Sequence, residues 1–125
     1  MQKGKASADE LIALILQGIE DVKGHDILLL DLREIENTVC DYFIICNGTS
    51  NTQVNAIVGS IQKTVSKAIH DKPWHIEGQE NAEWVLMDYV NVVVHVFQKH
   101  IREFYDIEGL WGDAKFTEVA SSINQ

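Results

Sequence analysis

The chain has 125 residues, 46% of them hydrophobic, the size and apolar content of one domain with its own core. Ten basic against nineteen acidic residues give a formal charge of −9, a sign that repels nucleic-acid phosphates and argues against a nucleic-acid-binding surface. Cys40 and Cys46 read as free core thiols of a reducing compartment, and the opening Met1-Gln2-Lys3-Gly4-Lys5 runs into Asp9 and Glu10 rather than into a secretory, transit or membrane-spanning segment, so a cytoplasmic location is expected.

Ser7 can cap a first helix, with Glu10 at the capping-box spacing. Leu11, Ile12, Leu14, Ile15, Ile19 and Val22 follow at helical spacing, and Lys23-Gly24 stops it. Residues 27–30 form a short apolar run, read as a buried strand, and residues 34–39 read as an irregular connector. Tyr42, Phe43, Ile44, Ile45 and Cys46 predict a second strand, broken by Asn47-Gly48-Thr49-Ser50. A long helix is expected over residues 51–70, because Val54, Ile57, Val58, Ile61, Val65, Ala68 and Ile69 recur at steps of three and four. Residues 74–77 predict a third strand closed by Gly78. Residues 84–89 and 92–97 predict an antiparallel hairpin turning at Val90-Asn91. Ile101, Phe104 and Tyr105 suggest a short third helix, with Trp111 beyond regular structure. The expectation is therefore an α/β fold with a single mixed sheet of about five strands and helices packed on it, in one domain over residues 1–116 with a flexible tail over residues 117–125.

Catalysis finds little support. Gly48-Thr49-Ser50 lies between a strand and a helix, where backbone amides attract anions. No Lys follows and a second glycine is missing, so a turn glycine with a Ser/Thr helix cap is the preferred reading. The loop is similar to the Gly-Ser loop of nucleotidyltransferases, which also need two carboxylates on a nearby strand to hold metal against phosphates. Asp106 and Glu108 have that spacing, but they fall at the end of the predicted third helix. No spacing of His25, His70, His75, His95 and His100 suits zinc. His95 falls on one strand face with Val93 and Phe97, either as a hydrogen-bonded structural histidine or as a surface contact. Ser50 and His95 make only a weak nucleophile–base pair, with no third group to orient them. No cofactor, metal or catalytic residue is assigned, and the chain is expected to work by binding.

One series of residues carries more. Asp41-Tyr42-Phe43-Ile44-Ile45 and Gly48-Thr49-Ser50 are followed by Glu77-Gly78, Trp84-Val85-Leu86-Met87-Asp88, Val92-Val93-Val94-His95-Val96-Phe97, and the run from Arg102 through Glu103-Phe104-Tyr105-Asp106-Ile107-Glu108-Gly109-Leu110 to Trp111. In this order and spacing, over roughly residues 11–114, the chain resembles the ribosomal silencing factor family, also called the Iojap family. The resemblance implies a nucleotidyltransferase-like fold without the catalytic carboxylates. It also implies binding to the large ribosomal subunit through its fourteenth ribosomal protein. That docking would block joining of the small subunit and repress translation when nutrients are scarce. Mitochondrial and chloroplast relatives are associated with ribosome assembly, so assembly of the large subunit is the alternative, and a divergent nucleotide-binding enzyme a remoter one. A homodimer in the free state is implied as well. Two departures stand out. The hairpin turn carries Val90-Asn91 where relatives commonly have Gly-Asp, and Asn91 suits a left-handed conformation better than Val90. Thr52 and Gln53 stand where relatives often carry a basic pair.

Aromatic anchors supply durable affinity in such an interface, and the expected partner-binding residues are Trp84, Asp88, His95, Tyr105, Leu110 and Trp111. Trp84 is as consistent with the core as with an interface. Asp88 either pairs with a partner's Lys or Arg or caps the strand end.

Overall fold

The computed structural model describes residues 7–38, 40–112 and 114–119. Helix α1 (Ala8–Asp21) starts where Ser7 Oγ accepts the Glu10 N–H at 3.1 Å, and Leu11, Ile12, Ile15 and Ile19 form its buried stripe. Strand β1 (His25–Asp31) and strand β2 (Tyr42–Gly48) pair antiparallel. Helix α2 (Asn51–Ile69) begins at Ser50, whose Oγ accepts the Gln53 N–H, and ends at His70 in the left-handed conformation. Strands β3 (His75–Glu77), β4 (Trp84–Asp88) and β5 (Val92–Gln98) follow. Then come helices α3 (Lys99–Tyr105) and α4 (Ile107–Leu110) and strand β6 (Lys115–Glu118).

The sheet has the order β3-β4-β5-β2-β1-β6. Every neighbouring pair is antiparallel except β2 and β5, which run parallel from Tyr42↔Val92 to Gly48↔Gln98. These two central strands are covered on both faces, which explains their nearly continuous apolar sequences. Alternation divides the core in two. Tyr42, Ile44, Cys46, Val85, Met87, Val92, Val94 and Val96 face α1 and α2. Phe43, Ile45, Val93 and Phe97 face the other way, toward Ile107 of α4, with Trp84 and Trp111 at the margin.

The mixed α/β sheet agrees with the sequence expectation, with six strands rather than about five. The addition, β6, begins before residue 117 and includes Thr117 and Glu118, which were expected in a tail. All four of its residues are exposed, so no alternation marks them as a strand. Residues 120–125 of that tail lie outside the described residues. The second strand continues through Asn47 and Gly48, where the sequence suggested a break. The β4–β5 turn also differs. Val90, not Asn91, takes the positive φ (+78°), with the Asn91 N–H donating to the Tyr89 carbonyl at 3.0 Å in a three-residue turn. Asp88 Oδ1 accepts the Val90 N–H at 2.7 Å and holds that conformation in place.

Helices α1 and α2 cross closely at Gly18. A Cβ there would lie 2.8 Å from Ile61 Cα, and Ser60 Oγ–H donates to the Gly18 carbonyl at 2.7 Å. Gly59, next to Ser60 on α2, has nothing within 4 Å of its Cβ position. Gly18→Ala should therefore destabilise the fold by about 1–3 kcal/mol through overpacking, whereas Gly59→Ala should stabilise it by about 0.5–1 kcal/mol through helix propensity. Urea midpoints of the two variants read opposite signs from the same substitution.

Candidate functional site

The face of the sheet away from α1 and α2 is only partly roofed. Register places Trp84 opposite Phe97, Leu86 opposite His95 and Asp88 opposite Val93. The rings make a chain of contacts. Trp84 stacks on Phe97 at 4.9 Å between centroids and meets Tyr105 at 5.0 Å. Phe104 stands edge-on to Tyr105 at 5.0 Å. Phe43 stands edge-on to His95 at 4.6 Å and to Trp111 at 5.6 Å.

The chain runs from core to solvent. Phe97 is fully buried and Trp84 half-buried, while Tyr105 is 49% exposed and Phe104 79% exposed. Leu110, on the short α4, is 76% exposed. Side chains this apolar, held on helices above a rigid sheet, form a surface suited to a protein partner.

His95 belongs to the floor of this face and not to its surface, which corrects its place among the expected contact residues. It is 4% exposed, and its Nδ1 accepts the Trp84 Nε1–H at 3.0 Å. That bond fixes the neutral tautomer with the proton on Nε2, which meets no partner among the described residues. Burial pushes the His95 pKa down to about 4, because a second proton would place an unpaired charge among aromatic rings. Asp88 lies at the opposite end of β4 and serves the turn. Trp111, expected beyond regular structure as an anchor, caps the C-terminus of α4 and packs half-buried against Phe43. The structure thus joins Trp84, His95 and Tyr105 directly, reaches Trp111 through Phe43, leaves Leu110 as an exposed neighbour on α4, and sets Asp88 apart.

Two features escaped the sequence reading. Phe104 has no place among the expected partner-binding residues, yet of Ile101, Phe104 and Tyr105 only Ile101 packs inward, and Phe104 is the most exposed. Arg102 carried no assigned role. It is 9% exposed, and Nη1 donates to Asn47 Oδ1 at 2.6 Å and to the Asp26 carbonyl at 2.7 Å, while Nε pairs with Glu108 Oε2 at 3.0 Å. One buried guanidinium therefore ties α3 and α4 to the ends of β1 and β2. No spacing in the sequence announces it, because its partners lie 76, 55 and 6 residues away.

The loop at Gly48 is closed upon itself. Thr49 donates its backbone N–H and its hydroxyl to Gln53 Oε1, at 2.7 and 3.0 Å, and Gln53 Nε2 donates to the Lys23 carbonyl. Gln53 thus occupies both donors of Thr49, the residue that follows the loop glycine. Glu108, half of the Asp106–Glu108 pair, is committed to Arg102. Among the described residues no group of three His, Cys, Asp or Glu side chains could hold a metal ion.

The family model described as "Ribosomal silencing factor during starvation" matches residues 5–125. The chain is 39% identical over 119 residues to the ribosomal silencing factor RsfS of Halalkalibacterium halodurans, covering 94% of this chain and 99% of that protein. It is 40% identical to RsfS of Bacillus subtilis over 116 residues, 92% and 96% of the two chains. The mouse protein named mitochondrial assembly of ribosomal large subunit protein 1 is 29% identical over 95% of this chain and 51% of its own length. A crystal structure from Chromobacterium violaceum superposes with a TM-score of 0.80 at 37% identity, over 94% of this chain and 97% of that one.

The neutral His95 makes stability depend on pH. The unfolded histidine titrates near 6.5 and the folded one near 4, so the unfolded chain binds the proton first. The stabilisation is complete above pH 6.5 and is lost as pH falls toward 4, by about 3 kcal/mol. The Asp31 carboxyl, held down to about 2 by its bond to Arg33, titrates below this window. Urea midpoints across the window should fall steeply for the native chain and much less for His95→Gln.

Proposed function

The chain belongs to the family of ribosomal silencing factors, and we propose that it represses translation by docking on the large ribosomal subunit, through that subunit's fourteenth protein, and blocking the small subunit. The observation that carries this reading is the ridge Trp84–Tyr105–Phe104 with Leu110 beside it, an apolar surface exposed to water on an otherwise acidic protein. Ribosomal proteins are typically basic, so a charge of −9 raises the encounter rate. The aromatic side chains then slow dissociation. The mechanism is steric and reversible, and it needs no reacting group. The engagement of both Thr49 donors by Gln53 supports binding over nucleotide chemistry at the Gly48 loop. In this reading the protein acts in the cytoplasm, and the free protein buries the same ridge in a homodimer that competes with the ribosome.

Assembly of the large subunit is the second reading, favoured by the name of the mouse relative. Both begin with the same docking. Silencing predicts that added protein shifts joined ribosomes toward free subunits, and assembly predicts that its loss leaves immature large subunits.

Phe104→Asp and Leu110→Asp alter exposed side chains, so each should change stability by no more than about 0.5 kcal/mol. Each should weaken co-sedimentation with purified large subunits by about thirtyfold, the equivalent of a 2 kcal/mol hot spot. Undiminished binding by both variants would remove the ridge from the interface.

A further inference from the structure

A second surface lies at the other end of β4, about 13 Å from Trp84 at the usual rise per strand residue. Trp74 is 80% exposed and Val90 59% exposed. With Asp88 and Val93 they line a cleft of about 370 Å³, with Val93 as its buried floor.

The indole does not hang on a loose loop. Pro73 precedes it, its backbone N–H donates to the Asp88 carbonyl at 2.7 Å, and β3 begins at the next residue. The strained Val90 forms the facing wall, held by Asp88. The cleft is acidic as well as apolar. Asp88 Oδ1 accepts the Val90 N–H, and Oδ2 makes no bond within the described residues. Asp41 is fastened beside the turn through its N–H to the Asn91 carbonyl at 2.9 Å. Asp88 and Asp41 both act on the nearby Cys40 thiol, which burial, with their help, pushes up to about 11. Asp71 stands three residues before Trp74, with the exposed Lys72 as the one cation between them. His75, across from Asp88, is occupied by Glu77 at 2.6 Å.

The chemistry selects the occupant. A purely apolar partner would desolvate Asp88 without compensation. A cation laid over the indole gains from the ring while pairing with the carboxylate. The cleft holds one or two side chains and no packed helix. We propose that Trp74, Asp88 and Val90 form a second docking site, for an extended arginine- or lysine-bearing segment of a partner protein, separate from the Trp84–Phe104 ridge.

The test needs no ribosome, so its outcome is independent of the docking reading above. The purified full chain is titrated with a synthetic peptide of alternating arginine and glycine, and the indole N–H signals of the three tryptophans are followed by NMR. The expected result is a saturable shift of the Trp74 signal, with those of Trp84 and Trp111 unmoved. Trp74→Ala should weaken binding about tenfold, as loss of one desolvated cation–π contact requires. Asp88→Asn, whose amide oxygen can still accept the Val90 N–H, should weaken it by a similar factor. Glu10→Gln removes the same charge on α1 and should leave the affinity unchanged. Equal weakening by Glu10→Gln and Asp88→Asn would reduce the binding to diffuse attraction and overturn the site. So would a shift centred on Trp84 or Trp111. Sedimentation showing that Trp74→Ala converts a dimer to a monomer would assign the cleft to a second copy and overturn it too.

Discussion

The parallel ladder between β2 and β5 is the constraint from which the rest of the structure follows. Parallel neighbours cannot be joined by a tight turn. The chain must leave β2 at Gly48, return along the 19-residue helix α2, add β3 and β4, and only then lay β5 against β2. That route places α2, with α1 packed beside it, over one face of the sheet. It also leaves the second face of β4 only partly covered. Phe43, His95 and Phe97 share that second face because alternation is fixed once Phe43↔Val93 and Ile45↔His95 are in register. The aromatic ridge of Trp84, Tyr105 and Phe104 stands where that second face meets α3.

Two buried polar groups finish this face in different ways. His95 is neutral and gives the Trp84 indole N–H a single acceptor, so Trp84 is oriented without a charge in the core. Arg102 keeps its charge and meets Asn47, the Asp26 carbonyl and Glu108. A buried cation with satisfied hydrogen bonds contributes little net stability, but leaving one partner without the other costs about 3–5 kcal/mol. The value of Arg102 lies in geometry. Helices of seven and four residues cannot hold themselves in water, and the guanidinium locks them over β1 and β2. The irregular start of β1 belongs to the same arrangement: the register shifts between His25 and Leu28, Asp26 takes φ +53°, and its carbonyl reaches Arg102.

What the sequence made legible follows the strength of local periodicity. Helices α1 and α2 and the hairpin strands repeat their apolar residues often enough to be read, and Ser7 and Ser50 mark the helix starts by their own hydrogen bonds. Strand β6 is exposed along its length and α4 is a single turn, so neither carries a pattern. Intrinsic preference disfavours the left-handed conformation at Val90, and here the preference loses. Asp88, the hydrogen bond to Tyr89 and the two strands on either side determine the turn more strongly than one β-branched residue opposes it. Alternation put His95 on its correct face, but how far solvent penetrates depends on Trp84, Phe43 and Tyr105. Those three come together only in the folded chain. The reverse holds for Phe104, since three apolar residues in a seven-residue helix cannot say which of them meets the sheet.

Charge and exposed apolar surface act on one another throughout this molecule. Each copy carries −9, so two copies repel as they approach, and that repulsion opposes burial of the ridge against itself. A basic partner meets the opposite sign on the same path. Salt screens both effects over a distance of about 8–10 Å at physiological strength. Screening therefore weakens docking to a basic surface while it relieves repulsion between copies. In the proposed reading, the balance between partner and self-association follows the net charge of −9 as well as the exposed aromatics. The ridge supplies affinity without discriminating between these two fates. In that reading the net charge of −9 is what favours a basic partner over a second copy.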